Sequence, residues 1–112
     1  MDKRRSEDAI IGFTWWKWIT DPETNPEWLV HLPMTKASMR AMDTITEYLT
    51  SPSAPQEIQD LELNPSKFIV SGGSKRAWAT WTTAAVDPRV LAIVPVVMDN
   101  LNARENLHHH YR

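Results

Sequence analysis

The sequence predicts an α/β fold in which two N-terminal helices precede a strand–turn–helix–strand unit of a parallel sheet. Three observations carry this reading. Apolar residues recur at helical spacing through the first fifty positions. Two apolar, partly β-branched runs follow, Phe68-Ile69-Val70 and Val90 to Val97, each bounded by turn residues. That is the pattern of strands buried in a parallel sheet. A single helix-length stretch separates them, so strand, helix and strand fit within about 30 residues, the size of a βαβ unit with a right-handed crossover.

The elements follow in order. Ser6 can cap a helix over residues 7–20 whose first turn carries Glu7 and Asp8, the favourable sign at that end. Ile10, Phe13, Trp16 (or Trp18) and Ile19 form its apolar stripe. Residues 21–33 hold three prolines and read as an ordered loop. Pro33 can open the next helix at its first position. Met34, Ala37, Ala41 (or Met42), Ile45 and Leu49 would face inward there, with Lys36, Arg40, Asp43 and Glu47 in water. Pro52, Pro55 and Pro65 mark residues 50–66 as a connector. Residues 75–86 read as a helix and Asp87-Pro88-Arg89 as a turn. The second strand is apolar almost throughout, so it is expected to be buried on both faces. Pro95 within it is an objection, because proline removes a ladder donor.

Composition narrows the functional classes. With 112 residues and a net charge of −2, the chain has no basic field to recruit nucleic acid. It has no cysteine, which removes disulfides, thiolate metal sites and cysteine nucleophiles. The run from Val90 to Met98 is far short of a membrane span. The mixed-charge N-terminus shows no small-residue cleavage site, so no signal peptide is read. Six tryptophans are many for this length. Trp15, Trp16, Trp18 and Trp28 crowd the first quarter, a segment expected to be covered by other polypeptide.

Residues 67–78, Lys-Phe-Ile-Val-Ser-Gly-Gly-Ser-Lys-Arg-Ala-Trp, carry the strongest functional signal. An apolar strand runs into two glycines, a serine and a helix. This describes a nucleophile elbow, the sharp strand-to-helix turn that presents a serine for attack on an acyl carbon. Small neighbours are needed there, and Gly72 meets this two positions before Ser74. Two positions after, where G-x-S-x-G has glycine, stands Arg76, and the first small residue is Ala77. Two other readings compete: Ser74 as a plain helix cap, and a phosphate loop. The second lacks both the P-loop spacing and the third glycine of a dinucleotide fingerprint. No cofactor motif is present.

If Ser74 is a nucleophile, the backbone N–H of Lys75 would point toward the developing oxyanion. Lys75 and Arg76 place two cations at the positive end of the helix. They would bind an anionic group of a substrate, or else sit in solvent or in ion pairs. Trp78 and Trp81 lie on the serine's side of the helix, where packing competes with lining a pocket. A base is normally a histidine oriented by a carboxylate. His108, His109 and His110 follow the serine, but too early for the usual histidine loop, and consecutive histidines diverge rather than converge on a metal. His31 precedes it. Asp99 sits just past the second strand, at the carboxyl edge where open α/β sheets place their sites. It reads as a candidate acid or as a loop carboxylate.

Several stretches resemble the PhoPQ-activated pathogenicity-related protein family. They are Glu7-Asp8-Ala9-Ile10-Ile11 with Phe13-Thr14-Trp15, then Leu32-Pro33-Met34-Thr35-Lys36-Ala37 and Met42-Asp43. Gly73-Ser74-Lys75-Arg76-Ala77-Trp78 and Thr83-Ala84-Ala85-Val86-Asp87-Pro88-Arg89-Val90 continue the match. Ile93-Val94-Pro95, Leu101-Asn102 and His109-His110-Tyr111-Arg112 complete it. Ala77 stands where the family usually has glycine. The resemblance implies an α/β-hydrolase fold with Ser74 at the nucleophile position, distantly similar to glucuronoyl esterases. Those place a basic residue directly after the serine and can carry their acid after the following strand, which bears on Asp99. It also implies a longer polypeptide, with a later Gly-Asp segment and a late histidine as the usual acid and base. Many relatives look exported.

The expected fold class is therefore α/β, the central portion of an α/β-hydrolase fold. Residues 1–112 would form one partial domain: helices over 7–49, a connector over 50–66, a βαβ unit with its elbow over 67–98, and a loop and helix start over 99–112. The expected catalytic residues are Ser74, Lys75 and Asp99, with no cofactor and no metal. The expected substrate is a small-molecule or glycan ester. The remainder of the fold would cover residues 7–20 and the sheet edges, and residues 1–112 alone should be poorly soluble. A non-catalytic signalling or binding protein that reuses the fold is the alternative.

Overall fold

The computed structural model describes residues 6–21, 23, 26–98 and 102–111. The chain divides into two compact units, Met1–Ser66 and Lys67–Arg112. The first is helical. It comprises α1 (Asp8–Thr20), a 3₁₀ turn (Pro26–Trp28), α2 (His31–Thr50) and a short α3 (Gln56–Gln59) within the connector. The second runs β1 (Phe68–Gly73), α4 (Lys75–Val86), β2 (Val90–Val96) and α5 (Ala103–Tyr111).

In the first unit, the helices form where periodicity places them, but only part of each expected stripe is covered: Phe13 and Trp18 on α1, and Met34, Met42 and Leu49 on α2. The cap of α1 is Glu7, with φ 53°, and its side chain makes no capping bond. Ser6 contributes its carbonyl instead, accepting the N–H of Ala9 at 3.1 Å. Ile10, Trp16 and Ile19 of the expected stripe are exposed, while Thr14 is buried and Ile11, Trp15 and Trp18 are half-buried. The reason lies in what α1 meets. The Phe13 ring stands edge-on to Trp28 at 6.2 Å. Trp15 stands edge-on to His31 at 6.0 Å and donates its Nε1–H to His31 Nδ1 at 3.4 Å. Burial lowers the pKa of His31 from its usual 6.5.

α2 begins at His31, so Pro33 occupies its third position rather than its first. Proline is tolerated there because the first N–H groups of a helix have no intrahelical acceptor. His31, Thr35 and Met42 are its buried residues. Ala37, Ala41 and Ile45 are exposed. The buried Thr35 hydroxyl donates to the carbonyl of His31 at 2.8 Å, which is how a polar residue is accommodated inside. Thr46 Oγ1 donates to the Pro65 carbonyl at 3.3 Å, tying the end of the connector to α2.

In the second unit, β1 and β2 pair in parallel, with Ser71 opposite Val94, Gly72 opposite Pro95 and Gly73 opposite Val96. The N–H of Ser74 donates to the Val96 carbonyl at 2.9 Å. Val96 therefore turns its backbone toward β1, and strand alternation turns the Pro95 nitrogen away. That is why proline fits here without losing a bond to β1. α4 covers one face of the pair through Ala77, Ala79, Thr80 and Thr83, all buried. Small residues let the helix approach closely, and the buried hydroxyls donate back along the helix, Thr80 to Arg76 at 2.9 Å and Thr83 to Ala79 at 2.6 Å. Trp81 is 39% exposed, so the packing role expected of it falls to the alanines and threonines. Burial of β2 on both faces is also not met. Leu91, Val94 and Val96, Val97 just after them and, on β1, Ile69 are exposed, because among the described residues α4 covers one side. Among the described residues no helix is long and apolar enough to cross a membrane.

The turn from α4 into β2 is held by ions. Arg89 donates to Asp87 from Nε at 3.0 Å and from a terminal nitrogen at 2.7 Å, and its backbone N–H adds a third bond at 3.0 Å. These bonds from Arg89 hold the Asp87 carboxyl down at about 2, against 3.8 ordinarily. A carboxylate whose pKa is lower folded than unfolded contributes stability above its unfolded value and loses it as pH falls. Thermal melts should therefore show a fall between about pH 4 and pH 2 that the Asp87→Asn variant lacks. The variant should also melt lower than the parent at pH 7. A parent and a variant with parallel melting profiles across that window would contradict the assignment.

Candidate active site

Ser74 joins β1 to α4 in a conformation that L-residues seldom adopt, with φ 53° and ψ −120°. Holding a non-glycine residue in such a region costs on the order of 1–3 kcal/mol. Three local features impose it. The Ser74 N–H is committed to β2 through Val96. The Ser74 carbonyl accepts from Ala77 at 2.9 Å and from Trp78 at 3.3 Å, so it already belongs to the helix. Gly72 lets the chain fold back tightly: a Cβ there would lie 2.6 Å from the Arg76 carbonyl oxygen and 2.7 Å from its carbon. The residue is thus pinned to the strand on one side and to the helix on the other. The left-handed twist at Ser74 absorbs the change of direction.

The serine is exposed, and its hydroxyl makes no capping hydrogen bond to α4. The helix-cap reading therefore has no support in the geometry. Lys75, half-buried, opens the first turn of α4, and Arg76 beside it is exposed. Both lie at the positive end of the helix axis. The arrangement offers an exposed hydroxyl at the positive end of α4, which suits a reacting centre that develops negative charge.

Asp99 lies outside the described residues. His31 belongs to the first unit, where it accepts from Trp15. His108 and His109 are exposed on α5. Among the described residues Ser74 Oγ is hydrogen-bonded to no histidine, and no group of three histidine, aspartate or glutamate side chains could hold a metal ion. One neighbour of the turn escapes sequence reasoning. Val97, directly after β2, has φ 48°, and its Cγ2 lies 4.0 Å from where a Gly73 Cβ would stand. Valine reads as strand in any pattern, so no sequence signal marks it.

Fold and turn together define a mixed α/β protein with a parallel β-α-β unit and a strained serine at its strand-to-helix junction. The chain belongs to the PhoPQ-activated pathogenicity-related protein family, whose family model matches residues 1–112. It is similar to autocrine proliferation repressor protein A of Dictyostelium discoideum, with 37% identity over 108 residues. The match covers 96% of this chain and 20% of the relative, so the chain spans about a fifth of that protein's length. No solved structure matches.

The tight approach at Gly72 yields a direct test. Gly72→Ala forces a Cβ against backbone that cannot swing away, and should destabilise the second unit by roughly 1–3 kcal/mol, the usual cost of overpacking. Denaturant titration measures it. A neutral Gly72→Ala would mean that the turn is looser than described.

Proposed function

We propose that this chain forms the nucleophile-bearing central part of an α/β-hydrolase-like domain, and that the parent activity is hydrolysis of an ester or related acyl bond. The observation that carries the reading is the left-handed Ser74. A serine held at a cost, in a turn that glycine would occupy more easily, with its hydroxyl exposed and uncommitted to the helix, fits a residue retained for chemistry.

In this mechanism Ser74 Oγ attacks the acyl carbon while a base takes the hydroxyl proton. The Lys75 N–H stabilises the tetrahedral oxyanion. The bond to the alcohol breaks and the leaving oxygen receives the proton. Water then attacks the acyl-serine, releasing the acid and restoring the hydroxyl. The base is a histidine supplied from outside the described residues, and Asp99 is the candidate acid that orients it. Lys75 and Arg76 would favour a substrate with an anionic group near the reacting ester, in a small molecule or a glycan ester. The bare apolar faces of α1 and of the sheet fit a domain whose other parts cover them. A second reading is a signalling or binding protein that keeps the fold without catalysis. It is favoured by the relative's name, which describes a growth repressor rather than a reaction.

A fluorophosphonate probe applied to the intact protein should label Ser74, seen by peptide mass spectrometry. Ser74→Ala and Ser74→Gly should abolish labelling. Ser74→Gly should also melt at or above the parent temperature, because glycine relieves the left-handed strain. Absence of labelling in the parent would remove the nucleophile claim and favour the binding reading. A marked loss of stability in Ser74→Gly would return the hydroxyl to a structural role.

A further inference from the structure

We propose that Val97 is a specificity-determining residue of the Ser74 site, the wall against which the acyl group of a substrate rests; this rests on the serine-nucleophile reading. Two strained residues stand side by side at the carboxyl ends of the paired strands. Ser74 follows β1 with φ 53°, and Val97 follows β2 with φ 48°. A single hydrogen bond, Ser74 N–H to the Val96 carbonyl at 2.9 Å, ties one strand end to the other. Gly73 and Val96 are register partners directly beneath them.

Val97 is the more unusual of the two. Four non-glycine residues among those described have positive φ: Glu7, Glu62, Ser74 and Val97. Val97 is the β-branched one, the side-chain type least suited to that region. It is also 80% exposed, so burial of its own side chain does not offset the strain. A valine that only extended the apolar sheet would keep strand dihedrals. Here the backbone turns instead, and the turn carries the Val97 side chain over Gly73.

Gly73 has no side chain to fill the space beneath. Among the described residues, chain neighbours aside, a Cβ built there meets Val97 Cγ2 at an ordinary contact distance of 4.0 Å. Val97 Cγ2 therefore lies close to bare Gly73 backbone, one residue before the serine. In the proposed acyl-enzyme the group joined to Ser74 Oγ rests against Val97. The size of the Val97 side chain then sets how bulky that group can be.

The test uses the intact protein and two fluorophosphonates that differ in the group on phosphorus, one methyl and one branched alkyl. In both, the serine oxygen bonds to phosphorus, fluoride leaves, and the hydroxyl proton passes to the base. Val97→Ala should raise the rate with the branched probe relative to the methyl probe by about tenfold, the scale on which pocket methyl groups discriminate. Val97→Phe should lower that ratio. Val97→Asn, which tolerates the left-handed backbone, supplies a second small variant should alanine disturb folding, and should also raise the ratio. A ratio unchanged in all three variants, with Ser74 still labelled, overturns the role of Val97 and leaves the nucleophile intact. No labelling of the parent by either probe overturns both.

Discussion

The second unit depends on one constraint, the forced reversal at Ser74. β1 must end in register with β2, and α4 must start at once to lay its small face on the pair. No residue with ordinary dihedrals makes that change of direction in one step. The Ser74 N–H stays with the sheet, its carbonyl goes to the helix, and Gly72 vacates the volume that the Arg76 backbone needs. Everything beside the serine follows from this: the exposed hydroxyl, the first turn of α4 with Lys75 and Arg76, and the proximity of the β2 terminus. The strain, on the order of 1–3 kcal/mol, is a sizeable fraction of what a domain this small can spare.

What surrounds the turn is less self-sufficient. A parallel pair normally lies between two layers of helix, yet among the described residues only the α4 side is covered. Ile69 is 67% exposed and Leu91 is 72% exposed. Full burial of such a side chain is worth about 1.5–3 kcal/mol, so this face leaves that stabilisation unused. In the first unit, Trp16 at 58% and Ile19 at 63% exposed tell the same story. The buried residues of α4 include Thr80 and Thr83, whose hydroxyls are satisfied within the helix. They favour close approach over a large apolar core.

The second unit was largely legible in the sequence, and the first only in outline. The helix over 75–86 was read to the residue, because Gly-Gly-Ser opens it and Asp-Pro closes it. The parallel pairing followed from two apolar runs spaced for a crossover. Membership in the family was legible in the Ser-Lys-Arg-x-Trp block. The faces of α1 and α2 were legible only in part, through Phe13, Trp18, Met34, Met42 and Leu49, because periodicity ranks residues by hydrophobicity. Their contacts are instead decided by Phe13 and Trp15 reaching Trp28 and His31, and by threonines that satisfy their own hydroxyls. Cover on the second face of β2 was overestimated because an apolar strand announces burial without naming what buries it. At the site, Ser74 and Gly72 were visible as a motif. Val97 was not, because its importance lies in a dihedral angle and not in its chemistry.

Reactivity at this site requires that Ser74 keep its left-handed backbone so that its hydroxyl can react. A high-resolution crystal structure of the intact protein tests this most directly. The expected result is φ near +50° at Ser74, with the hydroxyl turned away from α4 and a histidine nitrogen within hydrogen-bond distance of Oγ. A Ser74 with negative φ, its hydroxyl accepting the Ala77 N–H as an ordinary helix cap, would contradict it.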